Sequence, residues 1–296
     1  MSGSASSSDA TFFMVLGLRD DLRSARLAEL IKNIDGCIFV APPVVRSTDR
    51  NPELIDEVCS EVLLGRRMTN GEVGCAKGHK QILSQSHVEF HLRPNARWVV
   101  VAEDDADLDE ISYRRIIDQL CGFRPKTPAV VTFVPERVLS RRTNWILNDE
   151  TPKFNALTRW RKKTVCYALN REACETIARF AKLPIDYVAD WPLYFAHLKF
   201  YASSHTWVVE AKTKSRIWDE PFLDPQEVRF VREFSASYLV NILRYLRGRK
   251  QLSSLSQRYE LSMRVILAHL LVYPTIEKIL AGLRAFVRRM RLHEQS

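Results

Sequence analysis

The six cysteines, at positions 37, 59, 75, 121, 166 and 174, contain no Cys-x-x-Cys pair and no dense cluster. That argues against a zinc ribbon or a disulfide framework and for thiols in a reducing compartment. Long apolar runs are missing too. None reaches the roughly 18 to 20 residues needed to span a bilayer. The Ser-rich start, Met1 to Ala10, reads as a flexible leader, and the apolar Phe12 to Leu18 after it is too short and lacks the basic flank of an export signal. Glycine is sparse, at 10 residues, and with 46% hydrophobic content the chain belongs among ordinary globular proteins. Its 296 residues suffice for one large or two modest domains.

Positive charge is in excess: 44 Lys plus Arg against 35 Asp plus Glu give +9. Such a balance raises nucleic acid or an anionic membrane as partners. The basic residues include Arg244, Arg247, Arg249, Lys250, Arg284, Arg288, Arg289 and Arg291, all in the last quarter. Aromatic residues are not interleaved with them in a recognisable nucleic-acid module, so nucleic acid is not expected.

The acidic residues gather mid-chain. Trp98-Val99-Val100-Val101-Ala102 runs directly into Glu103-Asp104-Asp105-Ala106-Asp107. This reads as a buried central strand ending in charge, and in an open α/β sheet ligands bind beyond the carboxyl ends of the strands. In an extended chain Glu103, Asp105 and Asp107 share one face and Asp104 takes the other. Three carboxylates on one face repel one another unless some protonate or a cation such as Mg²⁺ or Mn²⁺ sits among them. The alternative is an acidic turn ending a strand in solvent.

Earlier in the chain, Thr11 to Leu18 reads as a strand, Asp20 to Ile34 as a helix with an apolar stripe, and Cys37 to Ala41 as a second strand stopped by Pro42-Pro43. Together they form one βαβ unit. Thr69 with Glu72 three residues on is a capping box that opens a helix carrying Gly74, Cys75, Gly78 and His79. The two glycines serve either close approach of a ligand at the helix start or tight packing on the sheet. His79 is either hydrogen-bonded structure or a working ligand or base.

Thr69-Asn70-Gly71-Glu72-Val73-Gly74-Cys75-Ala76-Lys77-Gly78-His79, followed about twenty residues later by the apolar strand and Glu103-Asp104-Asp105, resembles glycosyltransferase family 25. That family includes bacterial lipooligosaccharide galactosyltransferases and collagen galactosyltransferases. Gly78 stands where the family has Ser, and Gly17 where its opening strand has Asn. The likeness extends over Met14 to Arg26 and over Thr164 to Ala173, reaches Pro184-Ile185-Asp186, and fades after Ile217.

The resemblance implies an α/β, GT-A-like catalytic domain over residues 11–223 with a mixed central sheet, and a UDP-sugar donor, most simply UDP-galactose. It implies inverting transfer to a sugar hydroxyl of a glycan or glycolipid acceptor. Glu103, Asp105 and Asp107 are the expected ligands of Mn²⁺ or Mg²⁺. Arg19, Arg23, Glu72, Gly74, His79 and Asp104 are expected at the donor. Asp186 is the first candidate for the base and Asp190 the second. In an helix begun by Pro184 those two stand one turn apart, although Asp186 equally suits a helix cap. Ala129 to Val134 is expected to pair beside the Val99 strand.

Residues 224–296 lie outside the resemblance and read as basic, amphipathic helices, including Tyr238 to Arg247 and Met263 to Arg291. They suit either an anionic membrane surface or packing on the catalytic domain or a dimer partner. The expected location is the cytoplasm, with peripheral attachment to the membrane through this tail. Two other readings stay open: a catalytically degenerate glycosyltransferase fold used as a scaffold, and a nucleic-acid binder using the tail.

Overall fold

The structure, a computed structural model, describes residues 10–17, 22, 24–64, 67–134, 154–156, 164–189, 192–203, 207–211 and 248–267. The chain divides into two compact units, Met1–Asp56 with Met68–Asp224, and Glu57–Arg67 with Pro225–Ser296. The second unit thus takes in Glu57–Arg67, which the sequence placed inside the catalytic domain.

In the first unit, β1 (Thr11–Leu16), α1 (Ala25–Asn33) and β2 (Ile38–Val40) form the expected βαβ element, with β1 and β2 parallel. Helix α1 begins later than the apolar pattern suggested because Ser24 caps it, its hydroxyl accepting the Leu27 N–H at 3.2 Å. The capping box at Thr69 forms as read: Thr69 accepts the Glu72 N–H and the Glu72 carboxylate accepts the Thr69 N–H. Helix α2 (Glu57–Leu64) belongs to the second unit, so the chain returns to the first with α3 (Asn70–Leu92). There follow β3 (Trp98–Glu103), β4 (Ala106–Asp107), α4 (Glu110–Gly122), β5 (Ala129–Thr132), β6 (Phe154–Ala156), β7 (Cys166–Asn170), α5 (Arg171–Ile177), β8 (Lys199–Ser203) and β9 (Val209–Glu210).

Seven strands make one mixed sheet in the order β2-β1-β3-β7-β5-β8-β6, while β4 and β9 pair separately. The α/β class and the mixed sheet agree with expectation. The neighbour of β3 does not. Antiparallel β7 lies between β3 and β5, with Val99 opposite Leu169 and Leu169 opposite Val130. Both flanking strands are apolar on both faces, so an inserted strand must be too, and Cys166-Tyr167-Ala168-Leu169 meets that demand.

Alternation sorts the sheet into two packed faces. Phe13, Val15, Trp98, Val100, Ala102, Val131 and Ala168 join Leu27 and Leu30 of α1 and Ile116 and Leu120 of α4 in one buried cluster. On the other face Phe12 meets Phe90 of α3 edge-on at 4.9 Å, and the Ser86 hydroxyl lies 3.1 Å from the Met14 sulfur. Helix α3 is also tied to the segment after α5. Lys80, 5% exposed, donates from Nζ to the carbonyls of Leu183 at 2.6 Å, Pro184 at 3.1 Å and Phe180 at 3.4 Å. Lys80→Met should therefore leave those carbonyls short of a donor and cost about 2–3 kcal/mol. Urea unfolding checks this; an unchanged midpoint would mean that the ammonium holds nothing.

Strands β1, β2, β3, β5 and β8 run in one direction and β7 and β6 in the other. The ends of β1 and β3 therefore meet the start of β7 at one edge, and that edge carries the acidic stretch.

In the second unit α6 (Arg249–Arg258) and α7 (Met263–Leu267) are helical, with Leu252, Leu255, Tyr259, Leu261 and Ile266 buried. Tyr238 to Arg247, and the tail beyond Leu267, lie outside the described residues. Among the described residues no helix is long and apolar enough to cross a membrane. None of the six cysteines forms a disulfide.

Candidate functional site

Strand β3 is held to its last residue. The Glu103 N–H donates to the Val165 carbonyl at 2.9 Å and the Asp104 N–H to the Leu16 carbonyl at 2.9 Å. The chain then turns at Asp104 and Asp105. The Asp105 carbonyl accepts the Ala211 N–H at 2.7 Å, and Ala106-Asp107 pairs antiparallel with Val209-Glu210. This turn breaks the extended geometry on which a shared face for Glu103, Asp105 and Asp107 depended. Asp107 instead faces Arg26, Nε to Oδ1 3.6 Å. The three carboxylates are not gathered into one ligand cluster; Asp104 and Asp105 are the half-buried pair at the sheet edge.

Gly17, just beyond β1, makes the turn possible. A Cβ there would lie 2.4 Å from the Asp104 Cβ, closer than side chains approach. Gly74 and Gly78 act similarly between α3 and the chain after β2. A Cβ on Gly74 would meet the Pro43 carbonyl oxygen at 2.6 Å, and one on Gly78 the Leu16 Cδ1 at 2.5 Å and Pro42 Cβ at 3.1 Å. The space beside each glycine is filled by protein, which fits the packing use of the two that the sequence left open. Glu72 is 7% exposed and its carboxylate is engaged at the helix start, Oε2 accepting the Thr69 N–H at 2.8 Å. In this structure the carboxylate serves the helix cap.

His79 joins the helix to the acidic strand end. Its Nε2 is 3.2 Å from Glu103 Oε1 and its Nδ1 is 2.9 Å from the Tyr167 hydroxyl, with the two rings stacked. Glu103 Oε1 also accepts the Thr164 hydroxyl at 2.5 Å. Burial first, then Tyr194 and Glu103, pushes the Tyr167 phenol well above its ordinary range, so it stays neutral. Thr164 and Tyr167 complete this hydrogen-bonded cluster; the sequence left them in an ordinary strand. Cys75, one helical turn before His79, completes a set of three side chains able to hold a metal ion: Cys75, His79 and Glu103, whose ligand atoms lie within 4.8 Å of one another.

Asp186 is 3% exposed and lies near Tyr194, whose phenol is raised by burial and then by this carboxylate. No helix begins at Pro184. Ile185 bridges to Ile55, its N–H donating to the Leu54 carbonyl at 2.9 Å while its own carbonyl accepts the Asp56 N–H at 2.8 Å. That pairing keeps the chain extended at Ile185, and no helix forms over residues 184–189. Asp190, Arg19 and Arg23 lie outside the described residues.

Comparison with protein-family models and with curated proteins gives no match.

Proposed function

We propose that the chain is a glycosyltransferase of GT-A type that moves a hexose, galactose by its sequence resemblance, from a UDP-sugar to a sugar hydroxyl of a glycan or glycolipid. The observation that carries this reading is the placing of Asp104 and Asp105 in a turn at the end of β3, between the end of β1 and the start of β7. That is the position at which α/β sheets bind ligands.

Two adjacent, half-buried carboxylates suit a Mg²⁺ or Mn²⁺ ion, which uses one or two carboxylates and takes further ligands from substrate phosphates. A preformed cage of three carboxylates is therefore not required. Bound there, such an ion would supply Lewis-acid stabilisation of charge growing on the leaving diphosphate. Asp105 and Asp104 orient the donor there, Gly17 lets Asp104 sit against β1, and Glu103 is held back from the donor by His79 and Thr164.

The acceptor hydroxyl must lose its proton to a base within hydrogen-bond reach. Asp186 is sealed from an acceptor in this structure, and the base role passes to Asp190, the second carboxylate of the pair in the sequence. Asp190→Asn should lower kcat by about 10²-fold or more with donor affinity retained. A larger kcat defect in Asp186→Asn, at unchanged thermal stability, would return the role to Asp186.

Residues 224–296, with their cluster of Arg, are proposed to hold the enzyme reversibly at an anionic, cytoplasmic membrane surface near a lipid-linked acceptor. The full-length chain should then sediment with anionic vesicles at low salt and release them as salt rises. Indifference to such vesicles at low salt would remove the membrane from the proposal.

A further inference from the structure

The donor set of Cys75, His79 and Glu103 is unlike the carboxylate pair at the turn, and the glycosyl-transfer reading gives it no contact with donor or acceptor. We propose that these three side chains form a second metal site, selective for a borderline-soft divalent ion of the zinc type, which ties the start of α3 to the end of β3. The inference is independent of the transfer reading.

Geometry and donor chemistry converge on it. The ligand atoms of the three residues already lie within 4.8 Å of one another, with His79 Nε2 and Glu103 Oε1 at 3.2 Å. Zinc bonds of roughly 2.0–2.3 Å to N, O and S place tetrahedral ligands about 3.3–3.8 Å apart, so closing the site takes small side-chain rotations. Sulfur, imidazole nitrogen and one carboxylate together favour zinc over Mg²⁺ or Mn²⁺, which prefer oxygen alone. Cys75 and His79 are four apart on α3, which puts them on one face of the helix.

The surroundings are those of ligands held for use. Metal-bound histidines have the second ring nitrogen fixed by an outer partner. Here Tyr167 lies at Nδ1, 2.9 Å away, which directs Nε2 toward Glu103. Thr164 in turn fixes the Glu103 carboxylate. The His79 side chain is 5% exposed and that of Glu103 18%, while Cys75 is half-buried, so the site is largely dry yet reachable.

Binding releases the thiol proton of Cys75. The imidazole proton that Nε2 donates to Glu103 in the metal-free site moves to Nδ1, where the Tyr167 hydroxyl turns to accept it, and Nε2 takes the ion.

Metal-free, full-length protein titrated with Co²⁺ should develop the near-ultraviolet band of a cobalt–thiolate bond together with visible bands of tetrahedral cobalt. One equivalent of Zn²⁺ should abolish both. Cys75→Ser should lose the thiolate band, and Tyr167→Phe should keep it with about 10-fold weaker affinity, the usual effect of removing an outer partner. Absence of a thiolate band, or an equal band in Cys75→Ser, would overturn the site. If Cys75→Ser does not fold, alkylation of the wild-type chain followed by peptide mapping replaces it. Zinc should then protect Cys75 selectively, and equal labelling with and without zinc overturns the proposal. No nucleotide enters either experiment, so a failure to bind UDP-sugar leaves the result intact.

Discussion

Asp105→Asn is expected to reduce glycosyl transfer by about 10²-fold or more and to weaken UDP-sugar binding in the presence of Mn²⁺, with the fold preserved. A cation held by this carboxylate would contribute several kcal/mol of charge stabilisation, and each 1.4 kcal/mol is a factor of ten in rate. The substitution keeps side-chain shape and leaves the Asp105 carbonyl free to accept the Ala211 N–H. It also removes one of three consecutive carboxylates, so repulsion within the turn falls. The unfolding temperature should therefore stay the same or rise. Full activity, or a loss that tracks unfolding, would contradict a donor cation at this turn.

Gly17→Ala is expected to damage stability and donor binding together. The added Cβ would stand 2.4 Å from the Asp104 Cβ, with the Asp104 Cγ and Oδ2 at 2.9 Å. Neither side yields easily. The Gly17 N–H donates to the Val40 carbonyl at 3.1 Å, and the Asp104 N–H is bonded to Leu16. Relieving the contact must shift the turn away from β1, a form of overpacking that costs about 1–3 kcal/mol. Because the shifted residue is a proposed donor ligand, nucleotide affinity should fall in the same variant. Chemical unfolding and a UDP titration give the two readouts; a variant unchanged in both would show that β1 and the turn are not pressed together. Gly74→Ala, against the Pro43 carbonyl, should lower stability without that loss of affinity.

Local signals in the sequence carried the parts of the fold that depend on local chemistry. The Thr69 and Glu72 capping box needs only two side chains three residues apart, and it forms. The five apolar residues from Trp98 to Ala102 announce a strand buried on both faces, and they form an interior strand of the sheet. Pairing order is not local. Val130 and Leu169 are equally good neighbours for Val99 by composition, and only the assembled sheet puts β7 between β3 and β5.

The site was legible to the same extent. Glu103 to Asp105 mark the sheet edge, but the turn that separates them from Asp107 depends on a partner strand about a hundred residues away, Val209–Glu210. Asp186 reads as a helix start after Pro184 until Ile55 is known to pair with Ile185. The glycines of α3 admit two uses in sequence, and the proximity of Pro42, Pro43 and Leu16 decides between them. Thr164 and Tyr167 carried no signal because a hydroxyl in an apolar stretch is ordinary; their place in the cluster comes from hydrogen bonds to Glu103 and to His79 of α3.

The most direct test of glycosyl transfer is UDP release from a panel of UDP-sugars by the full-length chain with Mn²⁺, with and without glycan acceptors, alongside Asp105→Asn. The expected result is cation-dependent UDP release, strongest with UDP-galactose, falling to background in the variant. No UDP release and no nucleotide binding from any donor, or binding equal in wild type and Asp105→Asn, would contradict it.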